Sequence, residues 1–147
     1  MKKGLAVFNL LLASCIPFSA EADDDCYSET GTVNVCDFAR EFADSMAPQL
    51  PMKMSQNLTM EKVIAIKKQV GIHVVLGYNE EYLTSLAKDN DMDLEYIAQG
   101  MRASTKANLC QENSPVAAFI TLGGIAQYVY KYADGMPYLT VNVNDCN

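Results

Sequence analysis

The sequence predicts an α+β fold: a single domain with an antiparallel sheet of four or five strands and helices packed on one of its faces. Helically spaced segments separate two pairs of Val- and Ile-rich segments that alternate with the period of a strand. Four cysteines beyond an apolar leader are expected to pair and to hold these elements together as disulfides. The leader aside, roughly 125 residues remain, which suffice for one hydrophobic core and not for two.

The first 22 residues have the features of a secretory signal peptide. A basic start at Lys2 and Lys3 precedes an apolar stretch over 5–12, and residues 20–22 read Ala-Glu-Ala, a small-residue cleavage pattern. We therefore expect residues 1–22 to be removed on export and the mature protein to be periplasmic.

A second interpretation of the leader stays open, because Leu-Ala-Ser-Cys over 12–15 resembles the bacterial lipobox. In that case the lipoprotein signal would end before Cys15, and this cysteine would be acylated and become the mature N-terminus. The acyl chain would anchor the protein in the outer membrane, facing the periplasm. An anchor on Cys15 is the only membrane contact that we expect, since no later apolar run approaches the roughly 18 residues of a spanning helix.

The mature chain begins with a polar segment. Residues 23–35 contain consecutive aspartates and a glycine and predict a flexible lead-in, followed by the α+β domain over 36–147. A first helix is expected after Asn34, a good N-cap residue, and should end at Pro48. Its core-facing side is predicted from apolar residues spaced i, i+4 and i+8: Phe38, Phe42 and Met46.

Two strands are expected to follow this helix. The segments 60–68 and 70–78 are rich in Val and Ile, and a short turn near Gln69 separates them. In the second segment, apolar residues alternate to one face and His73 points to the other.

Two or three helices should separate these strands from a final pair. Asn79 is a suitable N-cap for the first helix, and a polar break over 88–91 precedes a longer one. A third, short helix is predicted to begin at Ser114 and Pro115 and to end at Gly123.

The last two strands are expected over 125–132 and 138–143, joined by a turn that contains Asp134-Gly135. The first of them places three tyrosines on one face, which we interpret as core packing rather than as a ligand platform: Tyr128, Tyr130 and Tyr132.

Four cysteines allow three disulfide pairings. We favour Cys26 with Cys36 and Cys110 with Cys146, because each bond then ties neighbouring elements. A chain-entropy estimate gives about 3 kcal/mol of stabilisation for the first bond and about 4 kcal/mol for the second. The cysteines are expected to be structural and not redox-active.

The residues indicate neither an enzyme nor a cofactor protein. The lone histidine, His73, stands in mid-strand without a recognisable nucleophile motif, and the cysteines are committed to disulfides, so no metal site is expected. The acidic run over 89–93 matches three ligand positions of a calcium loop, but it lacks the required Gly and bidentate Glu and is interpreted as helix capping. A formal net charge of -7 without a basic cluster argues against nucleic acid.

A set of fixed points over roughly residues 36–146 resembles the beta class of type II secretion pilotins and related small exported proteins. They surround the predicted hairpin and the last strands: Leu50-Pro51, Asn108-Leu109-Cys110, Pro115, Gly123-Gly124, Asp134-Gly135 and Asp145-Cys146. The resemblance implies an antiparallel sheet flanked by helices, a disulfide matching Cys110–Cys146 and an acylated Cys15. It also implies a lipoprotein that binds the C-terminal segment of secretin subunits and brings them to the outer membrane.

We therefore expect a non-enzymatic cell-envelope protein that binds another envelope or secreted protein. The first hypothesis is a pilotin-like adaptor or chaperone for a secretin of a secretion system. The alternative is a periplasmic immunity or inhibitor protein that blocks an exported toxin or enzyme, for which an acidic surface suits a basic partner.

Overall fold

The computed structural model of the protein describes residues 24–147, so the predicted signal peptide over 1–22 and Cys15 lie outside the described residues. The helices are α1 (Val35–Met46), α2 (Glu80–Asp89), α3 (Leu94–Leu109) and α4 (Pro115–Thr121), with short 3-10 turns at Asp24–Cys26 and Ala47–Gln49. The strands are β1 (Met52–Ser55), β2 (Leu58–Ile66), β3 (Gln69–Leu76), β4 (Ile125–Lys131) and β5 (Pro137–Val143). Within 24–147, no helix has the length and apolar character needed to cross a membrane.

The five strands form one sheet in sequence order, β1-β2-β3-β4-β5. The predicted α+β fold class is confirmed, with one difference: the sheet is mixed, because β3 and β4 run parallel while the other three pairs are antiparallel. Helices α2, α3 and α4 connect β3 to β4 and return the chain to the end at which β3 began. Such a crossover is what a parallel neighbour requires.

Short polar side chains begin each helix. Asn34, Asn79 and Ser114 accept hydrogen bonds from backbone N–H groups of the first turn, which confirms the three predicted starts. Asp93 caps α3 in the same way, through a 2.6 Å bond from the Tyr96 N–H. The acidic run over 89–93 therefore includes a helix cap, as its sequence indicated.

All four helices pack on one face of the sheet, which we call the covered face. Its core combines the alternating residues of β3 with Phe119 of α4, whose ring stacks on Phe38 at 5.0 Å between centroids. The strand residues buried there include Met60, Val63, Val70, Ile72, Val74, Leu76, Ala126, Tyr130, Leu139, Val141 and Val143.

The buried side of α1 differs by one position from the prediction. Phe38, Phe42 and Met46 pack against the core but are only partly buried. The deepest residues are smaller and precede or follow them: Val35, Ala39 and Ala43. Small side chains let the helix backbone approach the sheet closely, and the aromatic rings then cover the sides of the contact.

None of the helices described over 24–147 packs on the opposite face of the sheet, and we call it the open face. Cross-strand register places on it residues of β2, β3 and β4 that are half-buried or exposed. They include Thr59, Lys62, Ile64, Ile66, His73, Val75, Val129 and Lys131, whereas Gly71 on the same face is buried.

Strand boundaries shift from the prediction at the first hairpin. The turn lies at Lys67 and Lys68, with Lys67 at a positive φ of 52°, so Gln69 is already in β3. The short strand β1 was not predicted as a separate element. It occupies four residues after the 3-10 turn that contains Pro48.

Two disulfides are present, Cys26–Cys36 and Cys110–Cys146, which is the pairing that the sequence favoured. The first bond closes a loop that contains most of the predicted lead-in over 23–35. Within this loop, Tyr27 and Asn34 form an antiparallel bridge. The second joins the C-cap of α3 to the chain end beyond β5. Each bond therefore ties a helix to a neighbouring segment.

Candidate functional site

A groove on the covered face separates α3 from the ends of β1 and β2. Its volume is about 160 Å³, and we call it the α3 groove. It forms because α1 covers β2 and β3 at one end, while α3 packs towards β5 and leaves the neighbouring strand ends uncovered. The lining residues are Met54, Leu58, Met101, Ser104, Thr105, Asn108, Tyr128 and Tyr130.

Two tyrosines of β4 contribute to the lining of the groove. The rings of Tyr128 and Tyr130 lie 5.8 Å apart between centroids and are tilted by 31°. Burial, with a smaller effect of Tyr130, raises the pKa of Tyr128 to about 12. This hydroxyl is therefore neutral at physiological pH, and Tyr128 gives the groove an uncharged aromatic surface.

A buried hydrogen-bond chain fixes this wall to the helix. The Thr105 hydroxyl donates to the Met101 carbonyl oxygen at 2.7 Å and lies 2.8 Å from the Tyr130 hydroxyl, which therefore donates to it. Burial raises the pKa of Tyr130, and the bond to Thr105 partly offsets that rise. The aromatic ring and α3 are thereby held in one geometry.

Methionines give the groove adaptable walls. Met54 is 43% exposed on β1, and Met101 is partly buried on α3. Unbranched methionine side chains adjust to different apolar partners. The volume is below the roughly 300–1,000 Å³ of pockets that enclose small molecules, so the groove suits one or two inserted side chains of a larger partner.

The strand beside the groove lies at an edge of the sheet. Among the described strands, β1 pairs with β2 alone, and its register shifts between Lys53 and Ser55. An edge of this kind offers backbone N–H and C=O groups to an added strand. A partner segment in the groove would therefore lie next to hydrogen-bonding backbone.

A wider cleft lies outside the carboxyl ends of the parallel strands β3 and β4. It has a volume of about 610 Å³, and Tyr78 and Tyr82 line it with ring centroids 5.8 Å apart. Backbone bonds hold its segments together: the Ala133 N–H donates to the Tyr78 carbonyl at 3.0 Å, and the Gly77 N–H donates to the Asn57 carbonyl at 2.9 Å. We call it the end cleft.

The acidic side of the end cleft continues into a second depression along α2. Asp134 lines both, together with Asn79, and Glu80 and Glu81 line the second. Lys88 also lines the second depression, but three carboxylates outnumber it, so this end of the molecule favours cationic groups.

The structure places His73 in the middle of β3 on the open face. Its register neighbours are Lys62 on β2 and Val129 on β4. Burial lowers its pKa, and the nearby ammonium groups of Lys131 and Lys62 lower it further. A histidine in this electrostatic setting is a weak base.

Within residues 24–147, no group of three or more His, Cys, Asp or Glu side chains is arranged to hold a metal ion. The four described cysteines are all in disulfides. In the acidic run that resembled part of a calcium loop, Asn90 instead donates from its side chain to the Leu86 carbonyl at 2.8 Å and forms the C-cap of α2.

The α3 groove was not predicted from the sequence. The tyrosines of β4 were predicted to share one strand face, but Met54 lies in the strand that was not predicted. An alternation of methionines over 52–54 is the one local signal that this short segment carries.

The fold is similar to solved structures of small bacterial proteins. The pilotin EpsS of the Vibrio vulnificus type 2 secretion system matches with a TM-score of 0.58 and 14% identity, covering 77% of this chain and 92% of the pilotin. The type II secretion pilotin AspS of Vibrio cholerae matches with a TM-score of 0.55 and 18% identity, covering 75% and 88%.

A protein of Pseudomonas aeruginosa, PA3611, whose secretion is itself inferred, matches with a TM-score of 0.57 and 12% identity, covering 75% of this chain and 88% of its own. No protein-family model matches the sequence, and no curated protein matches it. The resemblance to pilotins noted from the sequence is therefore confirmed at the level of the fold.

Proposed function

We propose that the protein is a non-enzymatic cell-envelope protein that binds a partner protein, as a pilotin-like adaptor for a secretin subunit. The α3 groove is the observation that carries the proposal, because it offers an apolar, aromatic-walled slot beside an unpaired strand edge. The similarity of the fold to two pilotins supports this class of partner.

A protein segment fits the groove better than a free ligand does. Its volume of about 160 Å³ accepts one or two apolar side chains. Ser104 and Asn108 are exposed along the α3 side and can receive hydrogen bonds from a partner backbone. An apolar anchor inside and polar groups at the rim are typical of peptide recognition.

The same proposal places the protein outside the cytoplasm. Two disulfides are typical of an oxidising compartment, which agrees with a leader over 1–22. A soluble periplasmic protein results if the leader is removed, with the domain over 36–147 preceded by a lead-in over 23–35. Acylation of Cys15 would instead anchor the same domain to the outer membrane.

The end cleft favours one alternative. Glu80, Glu81 and Asp134 form an acidic surface next to the exposed Tyr82, which suits a basic partner. A periplasmic inhibitor of an exported toxin or enzyme would use such a surface. Loss of inhibition on Asp134→Lys, without an effect of groove substitutions, would identify this function.

The adaptor function is tested with synthetic peptides from the C-terminal ends of the secretins encoded in the same genome. Met54→Glu should weaken binding at least tenfold, because it places a charge in the apolar groove, and each tenfold corresponds to about 1.4 kcal/mol. Fluorescence anisotropy of a labelled peptide measures the loss.

Met136→Glu is the matched control. Met136 is 60% exposed in the turn before β5, and it does not line the groove. Its substitution should leave affinity unchanged. Failure of the wild-type protein to bind any of the peptides, or equal losses in both variants, would contradict the proposal.

A further inference from the structure

We propose that the open face of the sheet is a second docking surface, and that it receives an acidic protein segment in which carboxylates lie beside apolar side chains. This face is on the opposite side of the sheet from the α3 groove. The inference is therefore independent of the adaptor function.

The charge of the open face is opposite to that of the protein. The five strands contribute three lysines, Lys53, Lys62 and Lys131, and a single carboxylate, Glu61, at the β2 bulge. The chain as a whole has a formal net charge of -7. An acidic partner is thus attracted to this face and repelled by the acidic surfaces elsewhere.

Strand register places two of the lysines in one row. Lys53 is opposite Thr59, Thr59 is opposite Val75, and Val75 is beside Lys131. The row therefore crosses four strands and has an ammonium group at each end, with a β-branched centre. Neighbouring strands lie about 4.8 Å apart, so the row spans roughly 14 Å, the length of a short helical segment.

The neighbouring row brings charge to the centre of the face. Lys62 pairs with His73, and His73 pairs with Val129. Both Lys131 and Lys62 act electrostatically on His73, after the larger effect of its burial. A carboxylate placed over His73 would lie near the ammonium groups of Lys62 on β2 and Lys131 on β4.

Apolar side chains also lie on this face, between and beside the lysines. Ile64 lies across Gly71, since a Cβ at Gly71 would be 3.1 Å from the Ile64 Cγ1 atom, and Ile66 is 63% exposed at the end of β2. Val75 and Val129 are half-buried. A free anion would leave these side chains in water, whereas an amphipathic segment covers them and pairs with the lysines.

The open face is less suited to other occupants. An anionic membrane surface is disfavoured because the net charge of -7 opposes approach of the whole molecule. A second copy would have to place an acidic helical surface on this face, which is a head-to-tail contact that builds rings or filaments and not the common two-fold dimer. A separate acidic protein segment satisfies both constraints.

The test uses a designed 18-residue amphipathic helical peptide of Leu and Glu, with its Leu and Lys counterpart as the reverse-charge probe. The Glu peptide should bind the full-length mature protein, shift the amide NMR signals of Val75 and Val129, and raise the pKa of His73. The Lys peptide should produce none of these three effects. Binding should weaken as salt is added, because exposed charges are screened.

The decisive variants change net charge equally in two places. Lys62→Glu with Lys131→Glu should weaken binding of the Glu peptide at least tenfold. Arg40→Glu with Lys88→Glu, on exposed helix positions, should change it less than twofold. Met54→Glu in the α3 groove should not affect it, which separates this surface from the adaptor site.

Several outcomes would overturn the inference. These are no binding of the Glu peptide, equal losses in the two double variants, or NMR shifts confined to the α3 groove. Binding to anionic phosphatidylglycerol vesicles that is lost in Lys62→Glu with Lys131→Glu, without peptide binding, would assign the face to lipid. Sedimentation that shows self-association through the open face would assign it to a second copy.

Discussion

Adjacent residues of the same strand lie on the two faces of the sheet, in different environments. On β3, Val74 is fully buried under the helices, whereas the next residue, Val75, is half-buried on the open face. The covered face excludes charge from its core. The open face keeps similar β-branched side chains but surrounds them with lysines. Apolar residues therefore stabilise the fold on one side and remain available to a partner on the other.

The faces also differ in how polar groups are satisfied. On the covered face, the buried Thr105 and Tyr130 hydroxyls bind each other. One hydroxyl, that of Tyr138, is buried there without a hydrogen-bond partner among the described residues. The Tyr138 ring packs against that of Tyr132, with 5.0 Å between the ring centroids. The charges of the open face, in contrast, remain in contact with solvent.

The largest difference between the faces should appear at Phe119. Phe119→Ala removes a fully buried ring that stacks on Phe38 and fills the space over Gly124, so we expect a loss of about 3–5 kcal/mol in the free energy of unfolding. Ile66→Ala on the open face should cost under about 1 kcal/mol. Urea unfolding followed by circular dichroism measures both, and similar losses would contradict a core restricted to the covered face.

The disulfides should rank by the lengths of the loops that they close. Cys110→Ala with Cys146→Ala opens a loop with a sequence separation of 36, against 10 for Cys26→Ala with Cys36→Ala. We expect losses of about 4 and about 3 kcal/mol. Thermal unfolding under non-reducing conditions compares them. A larger loss for the short loop would show that packing around Cys36 outweighs chain entropy.

Adjacent valines provide a matched pair. Val74→Ala should lower the free energy of unfolding by about 2–3 kcal/mol, because it leaves a cavity under the helices. Val75→Ala removes the same atoms from the open face and should cost less than about 1 kcal/mol. Chemical denaturation distinguishes them, and equal costs would indicate that the open face is packed in solution.

The buried hydroxyl pair should show strong coupling. Thr105→Val leaves the Tyr130 hydroxyl without its partner and should cost about 1–2 kcal/mol. Adding Tyr130→Phe removes the unsatisfied group, so the double variant should be no less stable than Thr105→Val alone. A double-mutant cycle from urea unfolding gives the coupling energy. Additive losses would exclude the bond as a contributor to stability.

The smallest effect concerns pH and the open face. Because the pKa of His73 is below the ordinary histidine value of 6.5, the unfolded chain binds more protons than the folded chain between the two pKa values. Stability should therefore fall as the pH drops through 6.5 towards the folded pKa. His73→Gln should lose this part of the pH dependence, and differ least well above pH 6.5. Thermal unfolding across this range measures the change, and an unchanged slope would contradict it.

Local features of the fold were predictable and relations between distant segments were not. Caps such as Asn34 and Ser114 act within four residues, so the sequence places them directly. The parallel pairing of β3 with β4 depends on how three intervening helices return the chain, which no local pattern specifies. β1 was not predicted because a strand of four residues is too short to show a clear alternation of apolar and polar side chains.

The candidate sites show the same limit. Met54, Met101 and Tyr128 come from three separate segments, and only the packing of α3 brings them into one groove. His73 was predicted to point away from the apolar face, as it does, but its neighbours Lys62 and Lys131 are set by register across two other strands. Strand register therefore creates the charge pattern that the linear sequence conceals.

The parallel pair β3 and β4 allows the chain to be cut into two pieces that would meet at this pair. A cut in the loop between α2 and α3 would leave two pieces, one with β1–β3 and one with β4–β5. Each disulfide lies wholly within one piece, so no covalent link would join them. Reassembly would then depend on the β3–β4 ladder and on contacts such as Phe38 with Phe119, which makes the chain suited to a split reporter of proximity.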